Sequence, residues 1–131
     1  MRYLLDTNVL VAMFRGRQRI REALLKVGFD NCSLSEISIA ELLFGAYKSD
    51  YSRHRHEFLF VKEHFNIIPI SDSLEQYARL RAELETEGIR LDNFDLLIAA
   101  TAVKEGLTLV THNTKHFEKI PNLHLKDWEC D

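Results

Sequence analysis

Residues 93–105, Asn-Phe-Asp-Leu-Leu-Ile-Ala-Ala-Thr-Ala-Val-Lys-Glu, limit the possible folds more than any other stretch of the chain. Leu96, Leu97, Ile98, Ala99, Ala100, Ala102 and Val103 leave this helical run without a broad polar face, so it has to be buried on most sides. Gly106 follows as a helix-terminating glycine. Leu107-Thr-Leu-Val-Thr111 then reads as a strand. A helix covered on most sides beside a short strand needs a layered structure around it.

The rest of the chain supplies those layers. Tyr3-Leu4-Leu5 reads as a short buried strand, Asn31 to Leu34 as a second and Ile67 to Ile70 as a third. Pro69 marks the third as a strand end rather than a middle. Leu123 to Lys126 is a lesser fifth strand. Helical periodicity covers Val9–Phe14, Gln18–Val27, Ser38–Ser49, Tyr51–Phe65 and Ser73–Glu87, the last stopping near Gly88. Strands alternating with helices predict a mainly parallel sheet of about five strands, covered on both faces, in an α/β/α sandwich. At 131 residues, with 46% hydrophobic and 28% charged residues, the chain is expected to form one domain over 1–131.

Several function classes drop out. The net charge of −3 means that any nucleic-acid contact must come from local basic patches. Asp6 and Asn8 interrupt the apolar stretch from Leu4 to Phe14, which excludes a signal peptide. No apolar run approaches the ~20 residues needed to span a bilayer. Cys32 and Cys130 lie far apart without metal-ligand spacing and read as reduced thiols. The expectation is a soluble cytoplasmic protein with no membrane contact.

Acidic residues then carry the argument. Each has a plain structural reading. Asp6 can cap the helix near Val9. Ser38-Ile-Ala-Glu41 fits a capping box in which Glu41 folds back on the Ser38 amide. Asp92 or Asn93 can cap the next helix, leaving Asp95 in its first turn. Topology favours a different role. In a parallel sheet the loops after the strands open at the carboxyl edge, where ligands bind. Asp6 ends the first strand, Glu41 lies early in the helix after the second, and Asp95 starts the helix that feeds the fourth. Thr111 and Asn113 leave the fourth strand at the same edge. Two carboxylates ~4 Å apart repel by roughly 4 kcal/mol at an effective dielectric of 20. Converging acids therefore call for protons or a cation. Magnesium or manganese suits an all-oxygen site, and such a site suits phosphodiester hydrolysis.

The chain resembles the PIN-domain ribonucleases, in particular the VapC-type toxins of toxin–antitoxin pairs. The matching stretches are Leu4-Leu-Asp-Thr-Asn8, Ser38-Ile-Ala-Glu-Leu-Leu-Phe-Gly-Ala46, Phe94-Asp-Leu-Leu-Ile-Ala-Ala100 and Leu109-Val-Thr-His-Asn-Thr-Lys-His-Phe117. Ile120-Pro-Asn-Leu-His-Leu-Lys-Asp-Trp128 is similar to the toxins' last strand. The resemblance implies a PIN-like three-layer sandwich with Asp6, Glu41 and Asp95 as catalytic metal ligands. Thr7 and Asn8 would support Asp6, and Thr111 and Asn113 the metal shell. It implies Mg²⁺ or Mn²⁺, a homodimer, an antitoxin partner and an RNA substrate. Water would add to phosphorus and expel the 3′ oxygen, leaving a 5′-phosphate. The fourth family position, usually acidic, is His116 here, and Asp92 is a possible substitute.

Among the basic residues, Arg15, Arg17 and Lys115 are candidates for RNA phosphates, with Arg19 and Arg21 read as solvated. Phe44 and Tyr47 are candidates for a protein interface. Two rivals remain open. A haloacid-dehalogenase-like phosphatase also begins with a strand-end aspartate, but wants an acid where Asn8 stands. A silent PIN module would only bind RNA or protein.

Overall fold

The computed structural model describes residues 2–130. β1 (Tyr3–Leu5) lies between β2 (Cys32–Ser35) and β4 (Thr108–Val110), with β3 (Asn66–Ile68) and β5 (His124–Lys126) outside them. All four strand pairs are parallel, in the order β3-β2-β1-β4-β5. Side chains alternate across each strand, so the sheet feeds two cores. Leu4 and Leu109 point to one face, while Leu5, Val110, Cys32 and Leu34 point to the other.

α1 (Thr7–Phe14), α2 (Gln18–Val27) and α4 (Tyr51–His64) bury Leu10, Ile20 and Val61 against the second face. α5 (Leu74–Thr86) and α6 (Asn93–Glu105) bury Leu80, Leu84, Leu96 and Ile98 against the first. α3 (Glu36–Lys48) contributes to both, Ile37 to one core and Leu42 to the other. A four-residue helix, α7 (Thr114–Phe117), follows β4 and is anchored by the buried Phe117. The three-layer α/β/α arrangement expected from the alternation is present.

Residues 93–105 form α6 with the bounds read from the sequence, and Ile98, Ala99, Ala100 and Ala102 are fully buried. Gly106 ends the helix at φ 66°, a left-handed turn that a side chain would strain. β3 ends at Ile68, two residues before the end read from the sequence, because Pro69 follows, and a 3₁₀ turn over Ile70–Ser73 comes next.

Two helix starts differ from the sequence reading by two residues. α1 begins at Thr7 rather than Val9, because Asp6 itself caps it. α3 begins at Glu36 rather than Ser38, because Ser35 Oγ accepts from the Ile37 amide at 3.1 Å. The capping box at Ser38-Ile-Ala-Glu41 is therefore absent. Ser38 is fully buried inside α3, and Glu41 sits in its second turn. Cys32 is buried, and desolvation pushes its thiol up to about 11, which leaves it unreactive near neutral pH. No described helix is long and apolar enough to cross a membrane.

Candidate active site

Asp6 stands at the carboxyl edge of the central strand, where the loops of a parallel sheet open. Its amide donates to Val110 O at 2.9 Å, which holds it in line with β4. Oδ1 accepts from the Thr7 amide at 2.8 Å, and Oδ2 accepts from Thr111 Oγ1 at 2.9 Å. The carboxylate is only 6% exposed. Burial raises its pKa, and the nearby charge of Asp95 adds to this. The Thr111 and Thr7 hydrogen bonds and His116 act in the other direction without cancelling it. Capping α1 and facing the other acids are thus compatible for one side chain.

Thr7 connects Asp6 to Glu41. Its Oγ1 donates to Glu41 Oε1 at 2.7 Å and lies 2.8 Å from Ser38 Oγ. A hydroxyl has one proton. With that proton given to Glu41, Ser38 must donate to Thr7. Ser38, which the sequence reading took for a helix cap, joins the hydrogen-bonded chain that reaches Glu41. Its signal was the spacing, since residues three apart on a helix share a face and Ser38 precedes Glu41 by that interval. Burial raises the Glu41 pKa, with repulsion from Asp6, Asp95 and Asp92 behind it; the Thr7 bond lowers it in part.

Asp95 occupies the first turn of α6, and His116 Nε2 lies 3.0 Å from its Oδ2. Both side chains are about a third exposed, at 32% and 30%. His116 therefore meets the cluster from α7, its ring set edge-on to Phe117 at 5.1 Å. Asp92 caps α6, its Oδ2 accepting from the Phe94 amide at 3.0 Å and the Asp95 amide at 3.4 Å. It adds to the field on Glu41 while its Oδ2 is spent on the helix end.

The remaining candidates divide. Thr111 is fully buried, with its Oγ1 accepting from the Asn113 amide at 3.0 Å while donating to Asp6. The Asn113 side chain is exposed and does not cap α7. Asn8 is exposed on the first turn of α1, its side chain hydrogen-bonded to none of the described acids. Arg15 ends α1, exposed and in no ion pair among the described residues. Arg17 differs, because its Nη1 lies 3.8 Å from Glu129 Oε2, which offsets part of its charge. Lys115 is exposed on α7 beside His116.

The donor set is oxygen-rich with one imidazole at its edge, and burial, with neighbouring acids behind it, raises the pKa of Asp6 and Glu41. That chemistry fits a hard divalent cation. In the present side-chain arrangement no three His, Cys, Asp or Glu groups among the described residues close on one point. Glu41 is turned to Thr7, Asp6 to Thr7 and Thr111, and Asp95 to His116.

Comparison with known proteins shows the family. The PIN domain family matches residues 3–123. Ribonuclease VapC2 of Rickettsia felis is 38% identical, covering 97% of this chain and 98% of that protein. The tRNA(fMet)-specific endonuclease VapC of Salmonella typhimurium is 29% identical, covering 98% of each. Among solved structures, VapBC2 from Rickettsia felis bound to a promoter DNA fragment matches with a TM-score of 0.89 and 35% identity. The match covers 98% of this chain and 99% of that one. The chain belongs to the PIN-domain family and, within it, to the VapC ribonucleases.

Proposed function

We propose that this protein is a divalent-metal-dependent endoribonuclease and the toxin of a toxin–antitoxin pair. The observation that carries the reading is the convergence of Asp6, Glu41 and Asp95 from three separate segments. Burial and mutual repulsion raise the pKa of Asp6 and Glu41 there. Asp6, Glu41 and Asp95 would hold Mg²⁺ or Mn²⁺. When bound, the ion would supply charge neutralisation and a more acidic water.

The chain's own groups divide the remaining work. Thr111 and the Thr7 amide fix the Asp6 carboxylate, and Thr7 with Ser38 fixes Glu41. His116 orients Asp95. Arg15 and Lys115 are exposed, and they would contact RNA phosphates. Arg17, drawn toward Glu129, is the weaker phosphate contact.

Relatives described as VapBC complexes support a cognate antitoxin as partner. Phe44 and Tyr47, 66% and 68% exposed on α3, support a homodimer contact. The cytoplasm, where RNA is available, is the proposed compartment.

A labelled structured RNA and a small aryl phosphate ester, each incubated with Mg²⁺, Mn²⁺ or EDTA, test the reading. Endonucleolytic cleavage that needs the ion, with the ester untouched, supports it. Ester hydrolysis would indicate the phosphatase, and inertness toward both the silent module.

A further inference from the structure

A groove of about 620 Å³ opens beside the acid cluster, and Asn8, Arg15, Arg17, His112 and Asn113 form its exposed rim. Thr111, which donates to Asp6, also lines it, so the rim lies against the proposed cleavage site. His112 is the next residue in the chain. Its Nδ1 lies 3.2 Å from Asp127 Oδ2. Asp127 is itself anchored, with its side chain only 15% exposed and its Oδ1 accepting from the Glu129 amide at 2.8 Å. The His112 side chain stays 69% exposed. An imidazole on the lip of the site is therefore held from behind and open in front.

That contact decides the tautomer. A carboxylate accepts and does not donate, so Nδ1 of the neutral ring carries the proton. Nε2 is then a bare acceptor, and the only hydrogen bond His112 makes among the described residues is the one at Nδ1. An exposed contact of this kind adds little to stability. Its consequence lies in what Nε2 can bind. The sugar–phosphate backbone of RNA offers an acceptor one kind of donor. Phosphate, bridging and ring oxygens only accept, and base N–H groups sit out on the base edges. The 2′-hydroxyl is left, the group by which a protein tells RNA from DNA. Charge on the rim is complementary to the rest of the backbone. Glu129 offsets Arg17 and Asp127 faces His112, which leaves Arg15 as the cation for a phosphate.

We propose that His112 Nε2 accepts from the 2′-hydroxyl of a nucleotide beside the scissile phosphate, and so distinguishes RNA from DNA at this site. Asp127 is its positioning residue, fixing both the ring and the tautomer. The contact is to the backbone and is independent of base identity. The proposal rests on the ribonuclease reading for the identity of the neighbouring phosphate, and its test is independent of cleavage.

Fluorescently labelled single strands of mixed sequence, about 12 nucleotides long, are titrated with the protein in EDTA at low salt. The pH is held at about 8, where an ordinary imidazole is neutral. Three forms are compared: RNA, its uracil-containing 2′-deoxy counterpart, and 2′-O-methyl RNA, which keeps the oxygen and loses the donor. RNA should bind about three- to tenfold more tightly than either of the others. His112→Phe keeps a ring and removes Nε2, and should bring RNA down to the level of DNA while leaving DNA affinity unchanged. Asp127→Asn gives the sharper readout. Its Oδ1 stays with the Glu129 amide, so its Nδ2 faces His112 Nδ1 and moves the ring proton to Nε2. The preference for RNA should then be lost with the imidazole still in place, and ¹⁵N shifts of the ring should report the changed tautomer. RNA bound no better than its 2′-deoxy or 2′-O-methyl form, or a preference retained in His112→Phe, would each overturn the proposal. Failure of the ribonuclease reading would show instead as no RNA cleavage with Mg²⁺ or Mn²⁺, whatever the titrations give.

Discussion

Thr111 donates its hydroxyl to Asp6 Oδ2 at 2.9 Å, joining residues 105 positions apart in the chain. The bond crosses from the end of β4 to the end of β1, which are neighbours in the sheet. It works against the burial that raises the Asp6 carboxyl pKa.

Removing that bond should expose its role. Thr111→Val leaves Asp6 Oδ2 short of a donor, at a cost of about 1–3 kcal/mol in stability. Asp6 should then hold its proton to higher pH. RNA cleavage should fall by about 10–100-fold near neutrality, with the acid limb of the pH–rate profile moved upward. Thr111→Ser, which keeps the hydroxyl, should restore both. Equal profiles for the valine and serine variants would remove Thr111 from the mechanism.

Asp6→Asn and Asp95→Asn should each lower RNA cleavage by about 10²-fold or more, because each takes a charged ligand from the proposed ion site. Circular dichroism should show the fold retained. Mg²⁺ should raise the Tm of the wild-type protein through its binding free energy and leave both variants nearly unmoved. Wild-type cleavage rates in both would discard the site assignment.

The metal-free protein should lose stability as pH rises. Burial first, and acid–acid repulsion second, hold Asp6 and Glu41 above their ordinary values. A carboxyl with a raised folded pKa binds its proton more tightly in the folded state. The stability it contributes is full below the unfolded pKa and is lost as pH climbs through the folded one. Thermal melts in EDTA at stepwise increasing pH, from the ordinary carboxyl range upward, should show Tm falling with pH from this source. The fall should be shallower in Asp6→Asn.

His116→Asp should sharpen the same balance. His116 lowers the Asp6 pKa, so an acid in its place reverses the sign of that contribution. The metal-free Tm at neutral pH should drop, and the Mg²⁺-induced rise in Tm should grow. A Tm that is unchanged with and without Mg²⁺ would show that His116 lies outside the electrostatic reach of the cluster.

Local pattern was enough for α2 and α6, whose observed bounds are those read from periodicity, with Gly106 closing α6. It failed at α3. Ser35 and Ser38 are both hydroxyls preceding a helical run, and the sequence offers no means of choosing between them. β2 chooses, because its pairing with β3 extends through Ser35 and leaves that residue at the cap. The short α7 was not read at all, since four residues carry too little periodicity.

By itself the chain determined its layers and its acids. Apolar runs of strand length alternating with helices admit a parallel sheet covered on both faces. Asp6, Glu41 and Asp95 fall at positions that such a sheet brings to one edge. Tertiary structure alone decided how those acids are held. Ser38 stands behind Thr7, His116 reaches Asp95 from α7, Thr111 reaches Asp6 across the sheet, and Glu129 draws Arg17 aside. The physical reason is range. Periodicity and capping act within a few residues, whereas the pKa of a buried carboxyl depends on every charge and donor that packing brings near it.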